Sequence, residues 1–258
     1  GVGLGGGKSA TSSGRLPSGG GAYSNLLASS FDGTDDYLSI AANSSLNTAG
    51  DWSFSCWFYA DNVTGYKAIA AKRDDAVAQQ WQFAISGGVL DLYLPWGYTV
   101  SGSTSINTGQ WYHVAFTVEV GESDGVKIYL NGSQESNTGN AVSSSNNTLV
   151  DIRIGDNSKN RYFNGLIDEV AMFHTLLSAS DITAIYNSPA EVPNDLGPDG
   201  LNLSPVGWWR MGDGTGDTDS GGGAPASGDT IGTVVDQGSG SNNATGTNGP
   251  LYSNDVPS

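Results

Sequence analysis

Carboxylates are the most numerous groups in this sequence that could do chemistry. The chain carries 26 Asp and Glu against 10 Lys and Arg, a formal net charge of −16 over 258 residues. They gather in short clusters: Asp32, Asp35 and Asp36; Asp74 and Asp75; Glu119, Glu122 and Asp124; Asp213, Asp217 and Asp219. All but Glu119 stand in stretches that read as turns, where a carboxylate is solvated or accepts from backbone amides. Turn oxygens of this kind suit a hard cation such as calcium, and the loop 213–219 is one candidate, although its spacing is not that of an EF-hand. The two histidines, His113 and His174, have no Ser or Cys nucleophile arranged around them and read as surface or strand-exposed residues. Trp96 and Tyr98 in LPWGYTV, with Tyr66 in another loop, offer flat rings that either cover the edge of the fold or meet a ligand. The GGGKS of residues 5–9 does not make a phosphate loop. That pattern needs Gly at position 2, where the chain has Val2, and no strand precedes it.

Strands must position these groups. Trp52, Phe54, Cys56 and Phe58 fall on one face of a strand, with Ser53, Ser55, Trp57 and Tyr59 on the other. Trp81, Phe83 and Ile85 alternate with Gln80, Gln82 and Ala84; Leu90, Leu92 and Leu94 alternate with Asp91 and Tyr93. Tyr112, Val114, Phe116 and Val118, then Val126, Ile128 and Leu130, repeat the pattern. Gly87-Gly88 and Asn131-Gly132 are residue pairs that accept positive φ and so turn hairpins. With 38 glycines and only 14% charged residues, the composition suits many short strands. The expected fold is all-β: two antiparallel sheets packed face to face, with one short helix near the end of the domain. That helix follows a strand in residues 163–186. In the strand, Leu166, Val170 and Met172 take one face, and Ile167, Glu169 and Ala171 the other. Ser178 is placed as N-cap with Asp181 three residues on, Ile182, Ile185 and Tyr186 form the apolar stripe, and Pro189 stops the helix.

Residues 1–27 form a Gly/Ser-rich arm, flexible or pinned against a partner. The single cysteine, Cys56, excludes an intramolecular disulfide framework and reads as a small buried hydrophobe. The acidic balance argues against nucleic acid and anionic membrane surfaces as partners. No apolar run reaches the ~20 residues that span a bilayer, and no signal-peptide core is visible. The first residue is Gly, which fits a processed chain or a piece of a longer product.

Four stretches resemble laminin-G-like domains of the concanavalin A-like superfamily. They are SFDGTDDYLSI at 30–40, WSFSCWFYA at 52–60, and GQWYHVAFTVE at 109–119 followed by VKIYLNG at 126–132. The fourth is G-x-I-D-E-V then L-S-x-x-x-I-x-x-x-Y, on Gly165, Ile167, Asp168, Glu169, Val170, Leu177, Ser178, Ile182 and Tyr186. They keep the family's order over residues 28–188, and the resemblance implies a jelly-roll sandwich. Laminarinase-type glucanases of this fold need E-x-D-x-x-E on one strand. That spacing does not occur here, so no catalytic residues and no enzyme are expected. Many such domains carry a structural calcium where the opening and closing strands meet, and the matching positions are Asp32, the Gly33 carbonyl and Asp168. Glycan binding is frequent in the family, and Trp96 and Tyr98 are the rings named for it.

The segment 189–258, with an aromatic strand at 207–212, looks like the piece that commonly opens a laminin-G-like domain, yet here it follows. It either adds an edge strand in permuted order or docks on a neighbouring subunit. Its Arg-Met-Gly-Asp-Gly run also resembles tails of laminin-G-like virion proteins from marine phages. The resemblance therefore implies a structural or adhesion protein, displayed outside a cell or on a virion surface. Its implied partners are copies of itself, other structural subunits or surface glycans, without nucleic acid or membrane insertion. The alternative is a carbohydrate-binding module of a larger secreted enzyme.

Overall fold

The computed structural model describes residues 23–74, 78–139, 149–187 and 193–257. Residues 1–22 of the arm expected over 1–27 lie outside them. In chain order the strands are β1 (Ala28–Asp32), β2 (Tyr37–Ile40), β3 (Trp52–Ala60), β4 (Tyr66–Asp74), β5 (Ala78–Ser86), β6 (Val89–Leu94), β7 (Tyr98–Ser101), β8 (Trp111–Val118), β9 (Val126–Leu130), β10 (Ser133–Gly139), β11 (Ile152–Ile154) and β12 (Asn164–Phe173). Helix α1 (Ala179–Tyr186) follows, then β13 (Gly207–Trp209), β14 (Thr218–Asp219), β15 (Ile231–Val234), β16 (Ala244–Thr247) and β17 (Leu251–Ser253). One sheet runs β10-β9-β8-β3-β12-β1-β17, with β13 beside β12; the other runs β14-β15-β16-β2-β11-β4-β5-β6-β7. Every pairing is antiparallel. This is the two-sheet sandwich with one short helix expected from the alternation.

The core lies between the sheets. Phe54, Cys56 and Phe58 of β3 and Val114, Phe116 and Val118 of β8 meet Trp81, Phe83 and Ile85 of β5 and Leu90, Leu92 and Leu94 of β6. Phe54 stacks on Phe116 at 5.4 Å, and Trp52 meets the same ring edge-on at 5.0 Å. Each large ring buried here contributes about 1.5–3 kcal/mol before ordering entropy is subtracted. Both hairpin pairs adopt positive φ, Gly87 at 58° and Gly88 at 83°, Asn131 at 48° and Gly132 at 74°.

A second, smaller apolar cluster sits on the outer face of the eight-stranded sheet. Ile182 and Ile185 of α1 pack there with Ala171, Phe173, Tyr129, Leu177 and Trp208. The helix starts where expected: the Ser178 side chain accepts from the Asp181 amide, and the Asp181 carboxylate accepts from the Ser178 amide. Its cover corrects the reading of His113 as exposed. That ring is wholly buried under α1, 5.3 Å from Trp57 and 6.0 Å from Tyr186, and neither ring nitrogen has a hydrogen-bond partner among the described residues. Burial lowers its pKa from 6.5 to about 3.

Strict alternation also fails in β12. Asp168 opposes Trp57 and Ala171 opposes Ser55, so two residues of β12 face the single Cys56 of β3. This is a bulge with Glu169 at φ 47°. It flips the parity, so Ile167 joins Val170 and Met172 in the core rather than Glu169 and Ala171. The bulge also marks a junction. β1 pairs with β12 at Asn164 to Ile167, and β13 pairs with it at Val170 to Met172. Glu169, in the gap, accepts from the Trp208 indole at 2.6 Å and from Arg210 at 3.0 Å. Arg210 also lies 4.4 Å from the Tyr23 ring centre and donates to the Ser24 carbonyl. The C-terminal segment thus holds the last residues of the N-terminal arm, Tyr23 and Ser24, against its own chain.

The same segment pairs within its own chain. β16 extends the nine-stranded sheet beyond β2, and β17 lies beside β1 in the other sheet. Trp209, Met211, Ile231 and Tyr252 enter the main core. No helix among the described residues is long and apolar enough to cross a membrane.

Candidate functional site

The residues named for calcium do not form one site. Asp32 ends β1 opposite Asn164, whereas Asp168 lies four residues further along β12, about 13 Å away at the strand rise. Gly33 makes the turn after β1 at φ 78°, and a Cβ there would meet the Asn164 side chain at 2.7 Å. Asp168 is fully buried and accepts from Asn25 Nδ2 at 2.9 Å and from the Glu169 amide at 2.8 Å. Burial pushes its carboxyl well above the usual range, and the neighbouring Glu169 adds to that. The acids that do lie with Asp32 are Asp35 and Asp36, with carboxylate oxygens within 4.8 Å of one another. That donor set is hard enough for calcium. Part of it is already committed, since Asp32 accepts from the Thr34 amide and Asp36 from the Asp32 amide.

The loop 213–219 uses its acids differently. Asp217 accepts from the amides of Gly212, Gly214 and Val235, and Asp213 from those of Leu26 and Leu27. Glycine-rich turns leave amides outside any ladder, and these carboxylates satisfy them.

Of the two rings named for glycans, Trp96 sits in the short 3-10 turn Pro95–Gly97, and its side chain lies outside the described set. Tyr98 opens the edge strand β7 and is 46% exposed. Tyr98 lies outside the lining of the cleft on the nine-stranded sheet.

A better-furnished cleft of about 510 Å³ lies on the outer face of the nine-stranded sheet. Three adjacent strands supply its floor: Tyr66 and Arg73 from β4, Gln82 from β5, and Asp91 and Tyr93 from β6. The loop after β11 supplies Asn157, Lys159 and Arg161. Tyr66 is level with Ser86, and Tyr93 with Gln82. The two rings therefore stand diagonally, about 13 Å apart along the strands and about 10 Å across them. Both are half-buried.

The loop is pinned rather than loose. Buried Asp156 accepts from Arg153 at 2.7 Å and from the Ser158 amide at 2.9 Å. Asn157 donates to the Gln82 side chain at 2.7 Å, and Ser158 to the Arg73 carbonyl at 3.1 Å. Further along the same loop, the Arg161 guanidinium lies 5.8 Å from the centre of the Tyr66 ring. Burial pushes the Tyr66 hydroxyl up to about 12, with Asp91 adding to it. Burial also raises the Asp91 carboxyl, against the hydrogen bond it accepts from Ser101 at 2.7 Å. The arrangement joins flat rings, amides and charged forks on one rigid face. Strand alternation marks Gln82, Asp91 and Tyr93 as outward positions, but not that their strands are neighbours or that a loop from β11 folds over them.

A laminin G family model, described as the concanavalin A-like lectin/glucanases superfamily, matches residues 32–183. The chain belongs to this superfamily. Among solved structures, this superfamily member is similar to a Bacteroides ovatus protein provisionally assigned as carbohydrate-binding, at 17% identity and a TM-score of 0.64. The match covers 90% of this chain and 61% of that one, so the chain spans under two thirds of its relative's length. The receptor-binding domain of botulinum neurotoxin C/D mosaic serotype matches at 17% identity and a TM-score of 0.50, over 64% of this chain and 43% of that one. Domain 4 of an extracellular arabinanase from Geobacillus stearothermophilus, in complex with arabinotriose, matches at 24% identity and a TM-score of 0.47, covering 61% of this chain and 75% of that one. No curated protein matches the sequence. At these identities the first two likenesses speak for the fold alone.

Proposed function

We propose that the protein is a non-enzymatic glycan-binding domain, serving adhesion or display outside a cell or on a virion. The observation that carries this reading is the outer-sheet cleft, where Tyr66 and Tyr93 flank Gln82, Asn157 and Asp91. Rings stack on the apolar faces of sugars while amides and carboxylates bind their hydroxyls. Binding fits better than hydrolysis, because glycoside cleavage uses two carboxyl groups and Asp91 is the one carboxylate among the described residues lining the cleft. We propose Asp32, Asp35 and Asp36 as the calcium site.

A glycan array followed by calorimetry tests this, run with calcium and with a chelator. Tyr66→Ala and Tyr93→Ala are each expected to weaken binding about tenfold, the worth of one stacked ring. Binding that disappears with Trp96→Ala or Tyr98→Ala and ignores the cleft variants would move the site to the rim at β7. No bound glycan at all would end the reading.

A further inference from the structure

Helix α1 docks on the outer face of the eight-stranded sheet, and none of its residues belongs to the core between the sheets. What it covers is not purely apolar. Trp57 is 3% exposed and His113 is 0% exposed, and the Trp57 indole nitrogen and both His113 ring nitrogens have no hydrogen-bond partner among the described residues. The two rings lie 5.3 Å apart, and Tyr186 of α1 lies against both, 5.6 Å from Trp57 and 6.0 Å from His113. A buried polar atom without a partner has given up water with no compensation. Lifting the helix returns all three nitrogens to water.

The anchorage of α1 is largely apolar. Leu177, Ile182 and Ile185 pack on the sheet, the Thr183 hydroxyl donates to the Gly132 carbonyl at 3.2 Å, and Asn194 donates to the Ala184 carbonyl at 3.2 Å. Eight residues are too few to stay helical away from the sheet. No strand pairing in either sheet runs through α1. Undocking therefore unwinds one element and leaves the sandwich in place.

We propose that α1 is a proton-released cover: protonation of His113 undocks the helix from the eight-stranded sheet while the two-sheet sandwich stays folded. The neutral ring tolerates the dry site, whereas an imidazolium finds no acceptor there. The titratable and charged groups on the elements around it are Asp181 and Tyr186 of α1, Lys127 and Tyr129 of β9, Tyr59 of β3 and, beyond Trp57, Asp168 of β12. None of them enters the shift of His113, which burial alone sets. Asp181 is engaged with Ser178, and Asp168 with Asn25 and the Glu169 amide. Undocking bares Trp57 and His113, a ring pair with one new positive charge. This device is independent of what the outer-sheet cleft binds.

The test is hydrogen–deuterium exchange of the intact chain, read by mass spectrometry between about pH 7 and about pH 4.5 and corrected for the intrinsic pH dependence of amide exchange. The pKa of His113 is about 3 when docked against 6.5 when open, so the open form binds the proton that the docked form refuses. Each pH unit between those values then favours opening about tenfold. At about pH 7, peptides covering residues 179–187 are expected to open more readily than those of β3, β5 and β8. Between about pH 7 and about pH 4.5 their opening should rise roughly fifty- to a hundredfold. His113→Phe keeps a ring and removes the proton site, and His113→Gln removes both; melting curves check that each folds. In either variant the α1 peptides should lose most of this pH dependence. The proposal is overturned if α1 exchanges only in step with β3 and β8, because the helix then leaves only in global unfolding. It is equally overturned if opening in the parent is the same at both pH values, or if the pH dependence persists in a folded variant.

Discussion

At the residue scale, the distinctive feature is Glu169, a charged residue in the left-handed region of a buried strand. A non-glycine residue there carries a cost of about 1–3 kcal/mol unless its surroundings hold it. The surroundings do: Asp168 accepts the Glu169 amide, and Trp208 and Arg210 take its carboxylate. Burial pushes the carboxyl up and the Arg210 guanidinium pulls against that. Removing Arg210 strands a buried carboxylate. Arg210→Ala is expected to lose about 3–5 kcal/mol in urea unfolding, whereas the double change Glu169→Gln with Arg210→Met should lose clearly less. A single-variant loss under about 1 kcal/mol would show that the pair is not holding the bulge.

At the element scale, α1 turns β8 from a one-sided strand into a two-sided one. Covering the outer face packs His113 against both Trp57 and Tyr186, with no proton partner for its nitrogens among the described residues. Its pKa is about 3 in the folded chain against an ordinary 6.5. Between those values the unfolded chain binds the proton that the folded chain refuses. This residue therefore costs no stability above pH 6.5 and progressively more as the pH falls towards 3, up to about 5 kcal/mol. His113→Phe keeps a ring in the stack and removes the proton site. Urea midpoints measured from pH 7 to pH 3.5 should fall less steeply in that variant than in the parent. Parallel slopes would mean that the histidine is not held neutral under the helix.

At the scale of the whole molecule, the family match and the fold have different limits. The match ends at residue 183, but the core does not. Trp209, Met211, Ile231 and Tyr252 arrive from beyond it, and β16 and β17 cover the edges of β2 and β1. Four such side chains contribute about 6–12 kcal/mol of burial, as much as a domain's entire net stability. A chain ended at Asn187 is therefore expected to lose cooperative melting and to aggregate through two bared strand edges. Calorimetry showing a sharp transition near that of the full chain would overturn this.

Sequence alone determined what depends on neighbours along the chain. Two-residue alternation fixed the inward faces of β3, β5, β6, β8 and β9, residue pairs tolerant of positive φ fixed two hairpins, and Ser178 with Asp181 fixed the start of α1. Tertiary structure decided what depends on which strands become neighbours. One inserted residue at Asp168–Glu169 reversed the faces of β12, because side-chain direction alternates and a bulge shifts the count by one. The cover of α1 buried His113, although its position in β8 alone marks it as outward. Asp32 and Asp168, near each other in the motif's logic, were spaced along one pairing, while Asp35 and Asp36 stayed with Asp32 because a turn holds them. The cleft itself draws on β4, β5, β6 and the loop after β11, roughly ninety residues apart in places. No local pattern encodes that encounter; pairing order across the sheet creates it.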